Sequence, residues 1–311
     1  MNHLNTSQVL KEYGGSVAND LNSVLESNNI DDDIDLSSHS PYLTFKQLPN
    51  YVSQINKDFS ILTLNCQSIN AKFDQIFILI DELQKKDNFR FTCILMQECF
   101  LPPTPPDGSP PDVSMYNLPG YNTFALGASC SSNGGLICYV LDSIKVTPKL
   151  EIKNSKHWEA IFLELNGIDS NPIVIGNIYR PPRYNNNNKS IENFITEFYP
   201  IISNISNDNK HIVLAGDYNI DVLQIGHRQK YADFLDHMIS AGYLPKITHP
   251  TRFAKKSASL LDQIFIKSRN HSSVESFSGI IYSPISDHCS AFTSLPIKIP
   301  KESPKYIVVR E

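Results

Sequence analysis

From Phe59 onward the chain carries two hydrophobic rhythms. Short runs rich in β-branched and aromatic residues predict strands over residues 59–65, 91–97, 121–126, 135–141, 158–165, 172–179, 211–216, 260–266 and 289–294. Some alternate, as in WEAIFLEL, the pattern of a half-buried strand. HIVLAG is apolar throughout, as a strand covered on both faces must be. Stripes of helical period lie between the strands. Phe73, Ile76, Phe77, Ile80 and Leu83 share one helix face; Ile191, Phe194, Ile195 and Phe198 share a second; Tyr231, Phe234, Leu235, Met238 and Ile239 share a third. Ser190 is placed to cap the second helix, Pro200 to end or kink it, and Gly242 to stop the third. The Pro-rich stretch 102–112 and the Asn run 185–188 read as loops. Nine strands with few helices do not suit a barrel of eight βα units; two packed sheets with helices outside fit better.

Before Phe59 the pattern lapses. Residues 1–55 are rich in Asn, Ser and Asp and predict a disordered acidic leader. That leaves residues 56–298 as the folded domain and 299–311 as a tail or the start of a linker to a further domain. Residues 1–50 hold two lysines against seven acids, a net of −5 that equals the formal charge of the whole chain. The folded part is therefore neutral, which excludes a bulk polycation, and any nucleic-acid contact must come from local arrangement. None of the six cysteines forms a CxxC pair, which argues against a zinc site and for a reducing compartment. The N-terminus lacks the pattern of a signal peptide, and no apolar run approaches the ~20 residues that span a bilayer.

The candidate chemistry lies at the strand ends. Asn65 closes ILTLN, Glu98 follows CILMQ, Asp217 and Asn219 follow HIVLAG, and Asp287-His288 precedes the last strand. Metal-assisted phosphate chemistry needs carboxylates for a divalent ion, a base for water and neutral donors for phosphate oxygens. Asp217 and Asn219 lie two apart, so in an extended segment they share a face and can orient or deprotonate a water; an Asx-rich turn is the plainer alternative. Glu98 can hold a cation or be a surface acid. His288 is a candidate base or, as imidazolium, a stabiliser of phosphate charge. Asp262 interrupts the apolar strand SLLDQIF and is the best candidate to orient that histidine. Tyr179 can donate to a phosphate oxygen or simply pack at a sheet edge. Lys72, Arg180, Arg183 and Arg252 are cations able to touch a nucleic-acid backbone, or solvated loop charges.

As an ordered set, LNCQSINAKFDQI, NIYRPP, GDYNIDVL, THPTR, LLDQIF and ISDH resemble the endonuclease/exonuclease/phosphatase superfamily over about residues 58–297. Their wording is similar to the apurinic-type endonuclease domain of LINE (non-LTR) retrotransposons, in the chicken-repeat and jockey-like branches. The resemblance implies a DNase I-like four-layer α/β sandwich of two mixed β-sheets flanked by helices. It implies that Glu98, Asn65 and Asp287 lie about the metal, Mg²⁺ or Mn²⁺. Asp217 and Asn219 would activate water, Asp262 would orient His288, and Tyr179 would contact phosphate. Thr251 and Ser259 fall where related enzymes carry hydroxyls near the phosphate, and Arg180 and Lys72 are the candidate DNA contacts. One departure stands out. Repair-type relatives carry an acid two positions after the first Asn, where this chain has Gln67.

The expected activity is a metal-dependent DNA endonuclease that nicks a target and leaves a 3′-hydroxyl primer. The expected partners are DNA and, through a polymerase region absent from this chain, element RNA. The protein is expected to be monomeric, to keep off membranes and to act in the nucleus. The rivals are a phosphomonoesterase or phospholipase of the same superfamily and an inactive domesticated nucleic-acid-binding fragment.

Overall fold

A computed structural model describes residues 40–48, 51, 58–105, 107–129, 133–152, 155–168, 172–182, 189–206, 210–254, 257–269 and 276–299. The first half of the chain forms β1 Tyr42–Thr44, β2 Asp58–Asn65, α1 Ile69–Asp87, β3 Cys93–Gln97, β4 Tyr121–Leu126, β5 Leu136–Leu141 and β6 Lys145–Ile152. Next come β7 Glu159–Asn166, β8 Ile173–Tyr179, α2 Lys189–Ser206, β9 His211–Asp217, α3 Gln229–Ser240 and β10 Leu244–Pro245. The chain closes with β11 Arg252–Ala254, β12 Ser257–Ser259, β13 Asp262–Lys267, β14 Phe277–Tyr282 and β15 Ser290–Lys298.

Two mixed sheets result. One runs β1-β14-β15-β2-β3-β5-β4 and the other β10-β13-β9-β8-β7-β6, with β11 and β12 as a separate hairpin. The central strands β2 and β3 of the first sheet lie against β8 and β9 of the second. This is the expected DNase I-like sandwich, and it explains why β2, β3, β5, β8 and β9 are buried along their whole length. Each strand is covered on one face by the other sheet and on the other by helix or loop. The third helix follows its stripe, with Tyr231, Phe234, Leu235, Met238 and Ile239 all buried, and Gly242 stops it at φ +85°. Phe194 and Phe198 of α2 pack with Phe234 of α3 and with Trp158.

The layer between the sheets is not wholly apolar. Asn177 of β8 is fully buried and donates from Nδ2 to the carbonyls of Met96 and Ile137, at 3.1 Å each, in the opposite sheet. Its Oδ1 accepts from Gln97 Nε2 at 2.6 Å. A buried amide costs free energy unless all its bonds are made, so this bridge holds the sheets in one relative register.

Several elements differ from the pattern reading. Tyr42–Thr44 lies within the segment expected to be a disordered leader, yet it pairs in parallel with Ile280–Tyr282 as an edge strand. Residues 1–39 lie outside the described residues. Strand β6 was not predicted because KVTPKLEI has weak alternation and carries Pro148; it is the sheet edge, with an irregularity between Pro148 and Leu150, where a missing N–H is tolerated. Strand β14 was hidden by Gly279, where an added Cβ would meet the Phe292 ring at 2.7 Å. Helix α2 starts at Lys189, one residue before its expected cap, and runs through Pro200 to Ser206, because Ile202 continues its buried face. Among the described residues no helix is long and apolar enough to cross a membrane.

Candidate active site

Adjacent parallel strands end level with one another, and the two sheets bring four such ends to one mouth. In the first sheet Asn65 is paired with Gln97, the residue before Glu98; in the second, Tyr179 is paired with Asp217, which faces Asp262 across the antiparallel β9–β13 ladder. Three side-chain contacts cross from sheet to sheet at this mouth. Asn65 Nδ2 donates to Asp217 Oδ2 at 2.8 Å, Tyr179 Oη donates to Glu98 Oε1 at 3.1 Å, and His288 Nδ1 lies 2.8 Å from Asp262 Oδ2.

Asp217 is fully buried. Its Oδ1 accepts the Asn219 backbone N–H at 2.9 Å, and its Oδ2 also accepts from Asn219 Nδ2 at 3.1 Å. Burial, reinforced by the nearby Asp262 charge, pushes its carboxyl up to about 7, against the opposing pull of His288, Asn65 and Asn219. Burial alone would hold the His288 imidazole neutral, but Asp262 first, then Asp217 and Asp287, carry it up to about 9. His288 is thus an imidazolium at neutral pH, donating from Nδ1 to Asp262, with Nε2 turned to the mouth 4.0 Å from Asp287 Oδ1. Asp262 Oδ1 is buried and has no hydrogen-bond partner among the described residues.

The local backbone is unusual. Gln67, Ser68, Glu98, Phe100 and Asn219 all have φ between +48° and +89°. Non-glycine residues rarely adopt this region, and the cost persists only where surrounding bonds over-determine it. Those bonds are present: Ser68 N–H donates to the Glu98 carbonyl at 2.8 Å, and Asn219 Nδ2 donates to the Arg180 carbonyl at 2.8 Å.

The remaining predicted residues divide. Asn65, expected beside the metal, is fully buried and spends its amide on Asp217 and on the Gln67 backbone N–H, so it positions Asp217. Thr251, expected near phosphate, is also fully buried, and its hydroxyl accepts the Leu261 and Asp262 N–H groups at 3.2 and 3.1 Å. It therefore holds the backbone of Asp262. Arg180 is corrected outright. It is 2% exposed, and its guanidinium donates to the carbonyls of Tyr218 and Asn219 at 2.6 and 2.7 Å, bracing the Asp217–Asn219 turn instead of facing solvent. Ser259 is half-buried in the β11–β12 hairpin, paired with Arg252, and Lys72 lies in the first turn of α1.

Sequence reasoning did not assign four residues their anchoring roles. Ser286 Oγ donates to the Asn65 carbonyl at 2.8 Å and receives the His288 N–H at 3.0 Å. Arg252 and Gln67 both hold Asp287, through Arg252 Nε and Nη2 on Oδ2, each at 2.9 Å, and through Gln67 Nε2 on Oδ1. Buried Glu159 accepts the Gly135 and Ser129 N–H groups at 2.7 and 2.8 Å; Gly135 in turn accepts from Cys99, next to Glu98. Arg252 in THPTR, Gln67 in LNCQSINAKFDQI and Ser286 in ISDH lay within visible motifs, whereas Glu159 gave no signal of this role.

A divalent cation fits this donor set. Four carboxylates converge and, among the described residues, His288 and Arg252 pair with them as cations; hard cations prefer carboxylate oxygens. Asp217, Asp262 and His288 offer ligand atoms within 4.8 Å of one another, but all three already hold one another or buried amides. Glu98 is half-buried and Asp287 exposed at the mouth, and these two carboxylates are better placed to bind an ion.

The Endonuclease/Exonuclease/phosphatase family model matches residues 62–288. The chain belongs to that family. Its members are hydrolytic nucleases and phosphatases, generally dependent on a divalent metal. The match opens inside β2 and ends on His288, so it spans every residue of the mouth. No curated protein matches by sequence. Solved structures share the fold. The endonuclease domain of TRAS1, a telomere-specific non-LTR retrotransposon, superposes with a TM-score of 0.52 at 13% identity over 77% of this chain and 99% of that one. The AP endonuclease LMAP from Leishmania major gives 0.61 at 12% identity over 89% and 99%, and the human Nocturnin catalytic domain 0.54 at 13% over 78% and 94%.

Proposed function

We propose that the protein is a divalent-metal-dependent endonuclease that nicks DNA, acting in the nucleus for an element of the LINE class. The reading rests on one observation above all. Asn65–Asp217, Tyr179–Glu98 and Asp262–His288 bridge the two sheets at a single mouth. A bound Mg²⁺ or Mn²⁺, held by Glu98 and Asp287, would supply charge neutralisation at the scissile phosphate.

The chain's own residues carry the rest. Asp217 has a carboxyl raised to about 7 and held rigid by Asn65 and Asn219, so it is suited to take a proton from an attacking water. His288 is charged at neutral pH and offers an N–H from Nε2, so it stabilises phosphoryl oxygen or protonates the leaving oxygen. A carboxyl raised to near neutrality beside an imidazole held as a cation gives the site a base and an acid at the same pH. Cleavage between phosphorus and the 3′-oxygen leaves a 3′-hydroxyl and a 5′-phosphate. In a LINE setting that hydroxyl would prime copying of element RNA by a polymerase. The sequence motifs and the fold shared with the TRAS1 domain support the LINE setting.

Supercoiled plasmid with Mg²⁺ tests the reading, with a phosphoinositide and a simple phosphomonoester as parallel substrates. The expected result is nicked circles from the wild-type protein and a loss of about 10²–10⁴ in rate for Asp217→Ala or His288→Ala. Phosphate release from the small substrates without nicking would move the protein to the phosphatase side of the family.

A further inference from the structure

Asp287 is the one carboxylate of the mouth whose two oxygens are both claimed by side-chain donors from elsewhere in the fold. Gln67 Nε2 holds Oδ1, and the guanidinium of Arg252 holds Oδ2 with both Nε and Nη2 at 2.9 Å. The pair is accessible, at 39% side-chain exposure for Arg252 and 38% for Asp287. Arg252 is also fixed beside the catalytic histidine. Its backbone bridges to His288, and the flanking Thr251 carbonyl accepts the Cys289 N–H at 2.7 Å. Only the guanidinium has to move for the contact to change.

A guanidinium on Asp287 occupies the place a divalent ion would take. The two cannot share the carboxylate without placing like charges side by side. Once an ion holds Asp287, the planar fork of Arg252 is left at a half-exposed mouth next to His288, where a phosphate is the matching partner. We propose that Arg252 is an exchangeable residue: it neutralises Asp287 in the free protein and transfers to a substrate phosphate when the cation binds. Gln67 makes the exchange workable. An acid at this position would add charge for the ion and repel Asp287, whereas the amide donates to Asp287 and helps keep it in the arginine's grip. Cation and nucleic acid then promote each other's binding, because each removes what the other must displace. This last step rests on the endonuclease reading; the competition at Asp287 does not.

Calorimetric titration of Mn²⁺ into the wild-type protein, Arg252→Ala and Arg252→Lys tests the proposal, each with and without a duplex protected by phosphorothioate linkages. Thermal melts check folding. The wild-type protein is expected to bind Mn²⁺ at least about fivefold more tightly with the duplex present. Arg252→Ala is expected to bind Mn²⁺ more tightly than wild type without DNA, and to gain nothing further from the duplex. Arg252→Lys, which keeps the charge but loses the fork, is expected to bind free Mn²⁺ like the wild type and the duplex more weakly. Equal Mn²⁺ affinity in wild type and Arg252→Ala, coupling that survives in Arg252→Ala, or no Mn²⁺ binding by any of the proteins overturns it. A tighter Arg252→Ala with no duplex effect on any protein upholds the exchange at Asp287 and overturns nucleic acid as its partner.

Discussion

Asp217 and Asp262 stand opposite each other on β9 and β13, both buried, and His288 reaches across from the other sheet to bond the second of them. Two acids in register would repel. The fold tolerates them because one bonds an imidazolium and the other carries a carboxyl raised toward neutrality by burial and by its neighbour.

Removing His288 should therefore cost stability as well as rate. Asp262 already has one unpartnered buried oxygen, and His288→Ala would orphan the other. The expected loss is about 3–5 kcal/mol, the cost of breaking one side of a buried pair. Urea unfolding measures it. The double variant Asp262→Asn with His288→Ala should lose less than the two single losses combined, and strict additivity would contradict the pairing.

Stability of the metal-free protein should fall as pH rises. His288 titrates at about 9 in the fold against 6.5 ordinarily, so its contribution is complete below about pH 6.5 and is lost as pH climbs through about 9. Asp217, raised from 3.8 to about 7 by burial and Asp262, acts in the same direction at lower pH, losing its contribution between about pH 4 and 7. Calorimetric melting temperatures in chelator should descend from pH 6 to pH 9.5, with a shallower descent for His288→Gln above pH 7. A melting temperature that climbs over that interval would show that the histidine is not held as a cation.

Tyr179→Phe removes the hydroxyl that fixes Glu98 Oε1 across the sheets. Partners that orient a ligand commonly change metal affinity by about 10–100-fold when lost. Mn²⁺ titration of Tyr179→Phe should show a weakening in that range with the melting temperature little altered. Glu98→Gln should weaken it further.

Gly216 has φ +149°, and a Cβ there would lie 1.9 Å from the Ile178 carbonyl oxygen on the neighbouring strand. The next residue is Asp217. Gly216→Ala should cost about 2–5 kcal/mol through overpacking and backbone strain, and should abolish cleavage by shifting the carboxylate. Soluble, stable, active protein from this variant would mean β8 and β9 are less tightly joined at that point.

Much of this was readable in the chain. Apolar HIVLAG placed Asp217 at the end of a doubly covered strand, and the acid breaking SLLDQIF is indeed the histidine's partner. Arg180 was misread because a sequence does not show that the turn at Tyr218 and Asn219 leaves two carbonyls in need of a donor. Thr251 was misread for a similar reason: its hydroxyl serves the N–H groups of Leu261 and Asp262, ten and eleven residues later, where β13 begins. The edge strands β1 and β6 escaped notice because edges tolerate proline and weak alternation, and β14, paired on both sides, because Gly279 interrupts its apolar run. The clamp on Asp287 joins residues 67, 252 and 287, and no local pattern announces a contact between segments so far apart.

The left-handed residues around the mouth carry an evolutionary implication. Glycine at 67 or 98 would relax the backbone, so selection for heat tolerance alone should enrich it there. Such survivors would be sturdier and idle, having traded away the side chains that the tension exists to aim.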